Sequence, residues 1–423
     1  MHQSVILALA MAAAAQGAVD NSKLDPLRFR QDGTFHISVF SDLHMGMCKS
    51  APTHLKYQRC FIFPTFFFLF FFSDTNVPRG PKQDAKSVSV MASVLDMEKP
   101  DFAVINGDLI NGDSTRADNS TRYLDQIVQP LVDRNLTWGS TYGNHDHQPN
   151  LSGELLLARE QTFSGARTQS MVPGAAAGST NYYLPVYSAS CKDVRCCAPR
   201  LLLWFFDSRG GYYYQQRDRL GRAVHHPNWV DESVVQWFAA TSTALRTRYG
   251  RVIPSLGFVH IPAYASVELQ NKGVHPNRQP GINDEKASPQ AQGWCEGGAH
   301  ECSYGKQDTS FMKAIAAVDG MMALFSGHDH ANSWCYKWDG ELPGVEAKGN
   351  GINLCYGQHT GYGGYGDWIR GSREIFVSLD KLRDLTIDSH IRTELGEVIG
   401  AVSLNATYGQ DSYPASPNDK TYL

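Results

Sequence analysis

Five short segments of this chain consist almost entirely of residues that ligate metals. They are Asp42-Leu43-His44, Gly107-Asp108, Gly143-Asn144-His145-Asp146, His260 within Phe258-Val259-His260-Ile261-Pro262, and Gly327-His328-Asp329-His330. Their carboxylate, imidazole and amide groups suit iron, manganese or zinc better than calcium. The chemistry they suit best is hydrolysis of a phosphate ester. That reaction needs an activated water, an electrophilic clamp on the phosphoryl oxygens and a proton for the leaving oxygen. Two divalent ions about 3.5–4 Å apart supply the first two together. In this inventory Asp108 would bridge. Asp42, His44 and one histidine of the last segment would hold one ion, and Asn144, His260 and the other histidine the second. His145 is left beside the site as general acid, with Asp146 orienting it. In Asp42-x-His44 and His328-x-His330, residues two apart leave a strand end on the same side.

Taken singly, each segment has a plainer reading. Asp42-x-His44 and Gly107-Asp108 suit turns, Asn144 suits a helix cap, and a lone His260 suits a hydrogen-bonded core position. The ordered set, with nearly every member following an apolar run, favours ligation. His225, His226, His275 and His300 lack that placement.

Those apolar runs are the elements that must position the ligands. Thr34–Phe40 reads as a strand ending at Ser41-Asp42, and 101–106 as a second ending at Asp108. Residues 136–142 form a poorer third, ending at Asn144. Leu201–Phe206 is the most apolar and should be buried on both faces. Ser255–Val259 and 321–325 precede the last two segments. Between the runs, Val88, Met91, Ala92 and Leu95 fall at helical spacing, as do Val234, Trp237, Phe238 and Leu245, and Phe311, Ile315 and Val318. Strands alternating with helices imply an α/β core. Residues 268–294 and 340–366 lack periodicity and read as long surface loops, a kind that is often functional. The second holds Gly361-Tyr362-Gly363-Gly364-Tyr365-Gly366, followed by Trp368, Arg370 and Arg373. Either it brings amides and guanidinium groups to a phosphate, or it is a mobile Gly/Tyr loop. His359 is a candidate substrate contact in the same stretch.

A formal charge of −4 gives no basic footprint for nucleic acid. Residues 1–18, with an apolar stretch from Ile6 to Ala15, read as a secretory signal peptide too short to span a bilayer. Asn-x-Ser/Thr triplets at Asn119, Asn135, Asn150 and Asn405 agree with export to a secreted or vacuolar destination. So do the nine cysteines. Cys191 with Cys196 or Cys197, and Cys295 with Cys302, have the spacing of loop disulfides rather than of a zinc ribbon. Residues 61–72 carry eight of the 20 phenylalanines but are broken by Pro64 and too short to cross a membrane. Exposed, such a run is an aggregation hazard. Residues 47–75 therefore read as a non-native insertion, most simply a translated intron.

The five segments, in this order, resemble the calcineurin-like metallophosphoesterases over roughly residues 34–380 outside the insertion. More narrowly, Asn119-Ser-Thr-Arg-Tyr, the Gly143–Asp146 segment and the glycine–tyrosine loop resemble fungal and plant phosphatases grouped with the purple acid phosphatases. The resemblance implies a four-layer αββα sandwich, two facing mixed β-sheets flanked by helices with the metals at the strand ends. It is expected to occupy residues 30–390, leaving 391–423 as a tail. It implies His330 on the ion held by Asp42 and His44, His328 on the other, and His145 near the leaving group. The implied substrate is a phosphorylated small molecule or phosphoprotein. A phosphodiester or pyrophosphate is the alternative on the same ligands, and a metal-binding protein impaired by the insertion is another. Purple acid phosphatases carry Gly-Asp-x-x-Tyr, whose tyrosinate on iron gives the colour. Asn111 stands there in this chain, which implies a colourless enzyme. In the family, moreover, Gly46 would run almost directly to Gly80-Pro81-Lys82-Gln83-Asp84.

Overall fold

The structure, a computed structural model, describes residues 25–47, 79–148, 151–287 and 304–423. The expected leader, nearly all of the expected insertion, Asn150, and Cys48, Cys60, Cys295 and Cys302 lie outside the described residues.

Seven strands form one mixed sheet in the order β1 (Leu27–Arg28), β5 (Tyr182–Tyr187), β6 (Leu201–Phe206), β9 (Ser255–Val259), β10 (Met321–Ser326), β12 (Gly349–Tyr356) and β11 (Cys335–Gly340). Six form a second, in the order β15 (Val398–Leu404), β14 (Ile387–Thr393), β13 (Gly371–Ser378), β2 (Thr34–Phe40), β3 (Phe102–Asn106) and β4 (Trp138–Thr141). A hairpin of β7 (Tyr212–Arg217) and β8 (Ala223–His225) belongs to neither sheet. The helices are α1 (Arg79–Glu98), α2 (Ser120–Asp133), α3 (Gly153–Glu160), α4 (Glu232–Tyr249), α5 (Tyr264–Lys272) and α6 (Thr309–Ala317).

Alternation along the strands builds four layers. In β6, Leu203 and Phe205 face Ile37, Val39 and Val104 of the other sheet and form the inter-sheet core. Leu202, Trp204 and Phe206, one residue out of phase, pack under Val234 and Phe238 of α4 and Phe311 and Ile315 of α6. The outer face of the second sheet does the same with Ala103 and Ile105, which pack against Met91 and Val94 of α1 and Leu124 and Ile127 of α2. A strand covered on both faces has no reason to alternate polar with apolar, hence the unbroken Leu-Leu-Leu-Trp-Phe-Phe run. Each buried aromatic there contributes about 2–3 kcal/mol of apolar burial, so the central strands are the least deformable part of the frame.

β2, β3 and β4 run parallel, as do β6, β9, β10 and β12 in the other sheet. Their carboxyl ends carry all five ligand segments, the place where open α/β sheets put their sites.

Two expectations need correction. The stretch 340–366 is not one surface loop, because it contains β12, and Gly361–Gly364 beyond it are buried. The boundary at residue 390 falls inside β14, and β14 with β15 completes the second sheet. Beyond them the chain folds back, the Tyr408 hydroxyl donating to Cys335 O at 2.8 Å. In β14 half of the inward positions are Ser389 and Thr393, which blurs the apolar pattern. The expected loop disulfide is present, Cys191 pairing with Cys197, and Cys335 and Cys355 also join across the directly opposed register of β11 and β12. Twenty residues apart, the second pair had no spacing signal.

Candidate metal centre

The ligands are delivered by turns rather than by strand pleat. Asp42, His44, Asp108 and His328 all have positive φ, at 58°, 47°, 50° and 75°. Left-handed backbone at a non-glycine residue costs on the order of 1 kcal/mol, and four instances at adjoining strand ends show a site held against its local preference. The expectation that Asp42 and His44 share a side is met, although the left-handed turn brings it about. Gly107, at φ +85°, lies so close that a Cβ there would fall 2.3 Å from the His260 ring.

Two ligand groups result, with a third set overlapping both. Asp42, His44 and His330 place ligand atoms within 4.8 Å of one another, and so do Asp108, His260 and His328; His44, Asp108 and His145 meet the same distance. The Nε2 atoms of His44 and His330 are 3.1 Å apart, and His330 Nε2 is 3.4 Å from Asp42 Oδ1. Asp108 Oδ2 sits 3.1 Å from His260 Nε2 and 3.5 Å from His44 Nε2, between the two groups. The histidines are set for Nε2 ligation by what holds the other nitrogen. His260 Nδ1–H donates to Asn106 O at 2.9 Å, and His330 Nδ1–H to Tyr365 O at 2.9 Å.

The protonation states suit cations. Burial opposes charge on Asp42, but its His330 hydrogen bond and the neighbouring imidazoles hold it below the ordinary carboxylate value. Asp108 is held lower still, as His260 and His145 outweigh its burial. Burial keeps His44 and His328 neutral, the latter near 3 with the help of charge on His260. His260, despite burial, is pushed up to about 10 by the charge and hydrogen bond of Asp108, then by Asp42. Its charge helps neutralise two buried carboxylates, a role divalent ions would take over. Asn144 Oδ1 and His145 Nδ1 are buried without hydrogen-bond partners. An orphaned buried acceptor costs about 1–3 kcal/mol, and an amide oxygen beside this cluster is a hard donor of the kind that would close a coordination sphere. The residues fit a two-metal centre.

His145 lies against the cluster, its ring 4.7 Å from that of His44, and its backbone N–H donates to Asp108 Oδ1 at 2.8 Å. Asp146 does not orient the His145 ring. Its carboxylate accepts from the amides of Leu109, Ile110 and Gly143 at 3.2, 3.0 and 2.8 Å, clamping the Asn144 turn to the Asp108 turn. Burial first, then the charge of Asp108, raises it to about 7.

The expected substrate contacts are also reassigned. Arg370 is buried and donates to the carbonyls of Gly361, Trp368 and Gly366. Arg373 donates to Tyr356 O at 2.7 Å, to Ser389 Oγ at 2.9 Å and to Ser333 O. Both guanidinium groups are engaged within the fold, Arg370 by loop carbonyls and Arg373 by two carbonyls and the Ser389 hydroxyl. His359, 2% exposed, packs its ring 3.8 Å from that of His330 and supports a ligand rather than facing solvent. Two contributors had escaped the sequence reading. Tyr365 stacks on His330 with ring centroids 4.0 Å apart, and its hydroxyl donates to Glu285 at 2.7 Å. Asp207, which ends the β6 run as other ligand segments end theirs, pairs with His147 at 2.7 Å. Its place after an apolar run was the available signal.

A cavity of about 1080 Å³ lined by Arg251, Pro254, Met321, Lys337 and Leu404 lies at the opposite ends of the strands and contains none of the ligands.

The family model for calcineurin-like phosphoesterases matches residues 35–332, the stretch that carries all five segments. The chain is 27% identical over 377 residues to "Probable inactive purple acid phosphatase 28" of Arabidopsis thaliana, covering 85% of this chain and 79% of that one. It is 25% identical over 341 residues to "Phosphatase DCR2" of Saccharomyces cerevisiae, covering 78% of this chain and 49% of that one. A dimetal phosphatase from Danio rerio shares the fold at a TM-score of 0.51 and 13% identity, covering 90% of this chain and 99% of that one. With two ligand groups meeting at Asp108 and the family's span laid over them, the chain belongs to the calcineurin-like phosphoesterase family.

Proposed function

We propose that this protein is a dinuclear metal-dependent phosphatase hydrolysing phosphomonoesters, with iron, manganese or zinc held by the two groups. Asp42, His44 and His330 would hold one ion, Asn144, His260 and His328 the other, and Asp108 both. The observation that carries the reading is Asp108 Oδ2 lying within 3.5 Å of imidazoles from both groups. When bound, two such ions supply a water of lowered pKa and an electrophilic clamp on the phosphoryl oxygens. The chain's own residues do the rest. His145, partly exposed and with an unpartnered Nδ1, gives the leaving oxygen its proton. Asp146 keeps that histidine's turn in register with Asp108. Export is part of the proposal, supported by the two disulfides and by the exposed triplet at Asn135. Asn111 is buried beside the same turn, its backbone N–H donating to Met45 O at 2.8 Å, and offers no phenolate for a coloured iron complex.

Three relatives are named probable inactive purple acid phosphatases, so turnover itself is what must be measured. The test is hydrolysis of a chromogenic monoester and a diester by the protein loaded with Mn²⁺, Fe²⁺ or Zn²⁺, with metal content determined in parallel. Two metal equivalents, chelator-sensitive monoester turnover and no strong visible band with iron are expected. Two bound metals without turnover would leave a binding protein.

A further inference from the structure

Beside the metal centre stands a feature that the hydrolytic reading leaves unused. β7 and β8 belong to neither sheet, yet β7 opens with three consecutive tyrosines, Tyr212, Tyr213 and Tyr214, and Tyr214 is 41% exposed. Between this hairpin and the turn that follows β4 lies a cavity of about 310 Å³. One wall is Asn144, His147 and Gln148, and the other is Gly210 with the tyrosines and Arg217. We propose that this cavity is the leaving-group subsite and that it takes an aromatic ring, making aryl phosphomonoesters the substrate class. The proposal rests on the phosphatase reading above.

Position is the first argument. A group protonated by His145 must depart on the side of His145, and residues on both sides of that histidine, Asn144 and His147, line the cavity. The hairpin starts at the metal site itself, since a Cβ on Gly210 would lie 3.1 Å from Asn144 O and from His147 Cβ.

Construction is the second. His147 is fixed by Asp207 at 2.7 Å, and Asp207 accepts in turn from the amides of Ser179 and Arg209 at 2.7 and 2.9 Å. The buried Arg209 guanidinium bonds Ala176 O, Trp229 O, Asn228 and His226 Nδ1. His226 carries Tyr213 on its ring with centroids 4.1 Å apart, and His225 carries Tyr212 at 4.6 Å. Gln215 adopts φ 55° where the pairing of β7 with β8 shifts register, a bulge that turns the strand. The hairpin is therefore rooted in a rigid network at its base, and that base is where it presents its tyrosine rings, beside the metal site.

Chemistry is the third. The lining contains aromatic rings, amides and one guanidinium, and no carboxylate. The volume matches one ring with a short substituent, at the small end of ligand pockets, and tyrosine faces favour an offset or edge-on aromatic partner. A free aryl phosphate and a phosphotyrosine side chain present the same ring.

The experiment compares binding of phenylphosphonate and methylphosphonate, which are not hydrolysed, to the metal-loaded full chain by calorimetry. It does so in the parent, Tyr214→Ala, Tyr214→Phe and Tyr213→Leu, with melting checked for each. The parent is expected to prefer the phenyl compound, and the preference to fall about 10-fold in Tyr214→Ala and Tyr213→Leu while Tyr214→Phe retains it. Equal binding of the two phosphonates by the parent, or a preference unchanged in both ring-removing variants, overturns the subsite. Because these ligands need no turnover, a phenyl preference in a protein that hydrolyses nothing would sink the phosphatase reading and leave the subsite standing. Ester hydrolysis without a phenyl preference would do the reverse. Phosphotyrosine and a phosphotyrosine peptide, assayed side by side, separate a small-molecule source from a protein one.

Discussion

His145 carries the most specific claim in the site, because the proposed assignment gives it a proton to transfer rather than an ion to hold. Its backbone amide, not its ring, bonds Asp108, so removing the ring should spare the metals. Replacing His145→Asn is expected to lower kcat about 10²–10⁴-fold with two metal equivalents retained. The loss should shrink for p-nitrophenyl phosphate, whose leaving group departs without needing a proton. Elemental analysis and a leaving-group series check both halves, and equal losses across the series would remove the general-acid role. The clustering of the candidate ligands was legible in the sequence because residue type and position, at the end of an apolar run, both pointed to it. Arg370, Arg373 and Asp146 were misassigned for a common physical reason, whereas His359 packs against a ligand-group imidazole. Sequence shows what a side chain can bind, whereas its actual partner here is backbone from a distant segment, such as Tyr356 O for Arg373 or Gly143 N for Asp146.

Among the elements, the central strands and the long helices could be read directly, since burial on one or both faces writes a period into the residues. β12 and β14 escaped because glycine, asparagine, serine and threonine occupy positions that face inward, and no apolar run marks them. The glycine-rich loop after β12 was legible as glycine-rich but not as buried, and its glycines have a steric cause. Gly364 has φ +72°, and a Cβ there would fall 2.5 Å from His330 Cε1 and 2.9 Å from His44 Cδ2. Two imidazoles of one ligand group thus rest on this one backbone position. Gly364→Ala must displace them, and a loss of metal affinity of about 10–100-fold is expected, the scale seen when the supports of metal ligands are changed. Gly340→Ala is the matching control, because Gly340 also has positive φ, +91°, but open space around it. Metal titrations of the two variants should differ sharply. If both lose affinity alike, backbone strain and not contact with the imidazoles is responsible.

At the scale of the whole molecule, the centre joins the two sheets. Asp42, Asp108 and Asn144 follow strands of the six-stranded sheet, and His260, His328 and His330 follow strands of the seven-stranded one. Metal binding therefore reports on whether the sheets have docked. At free metal 100 times Kd it should add about 2.7 kcal/mol to stability. This supplies a test for the segment between residues 48 and 78, whose phenylalanine tract looks foreign to the fold. The described chain departs at Met47 and resumes at Arg79, and the two sides are tied together. Gly46 N–H donates to Asp84 Oδ1 at 3.0 Å, and Gly364 N–H meets Met47 Sδ at 3.0 Å, in contact with the loop that supports the ligands. Burial raises Asp84 to about 6, so this tie sits in the interior of the fold rather than at its edge. Flanks fastened in this way permit a short linker between them. Replacing residues 48–78 with a Gly/Ser linker of about eight residues, which reaches roughly 26 Å, should keep two metal equivalents and the metal-induced rise in Tm, and should increase soluble yield. Loss of the metal-induced rise in the shortened protein would show that the segment helps place Asp42 and His44, and that the phenylalanine tract belongs to the working molecule.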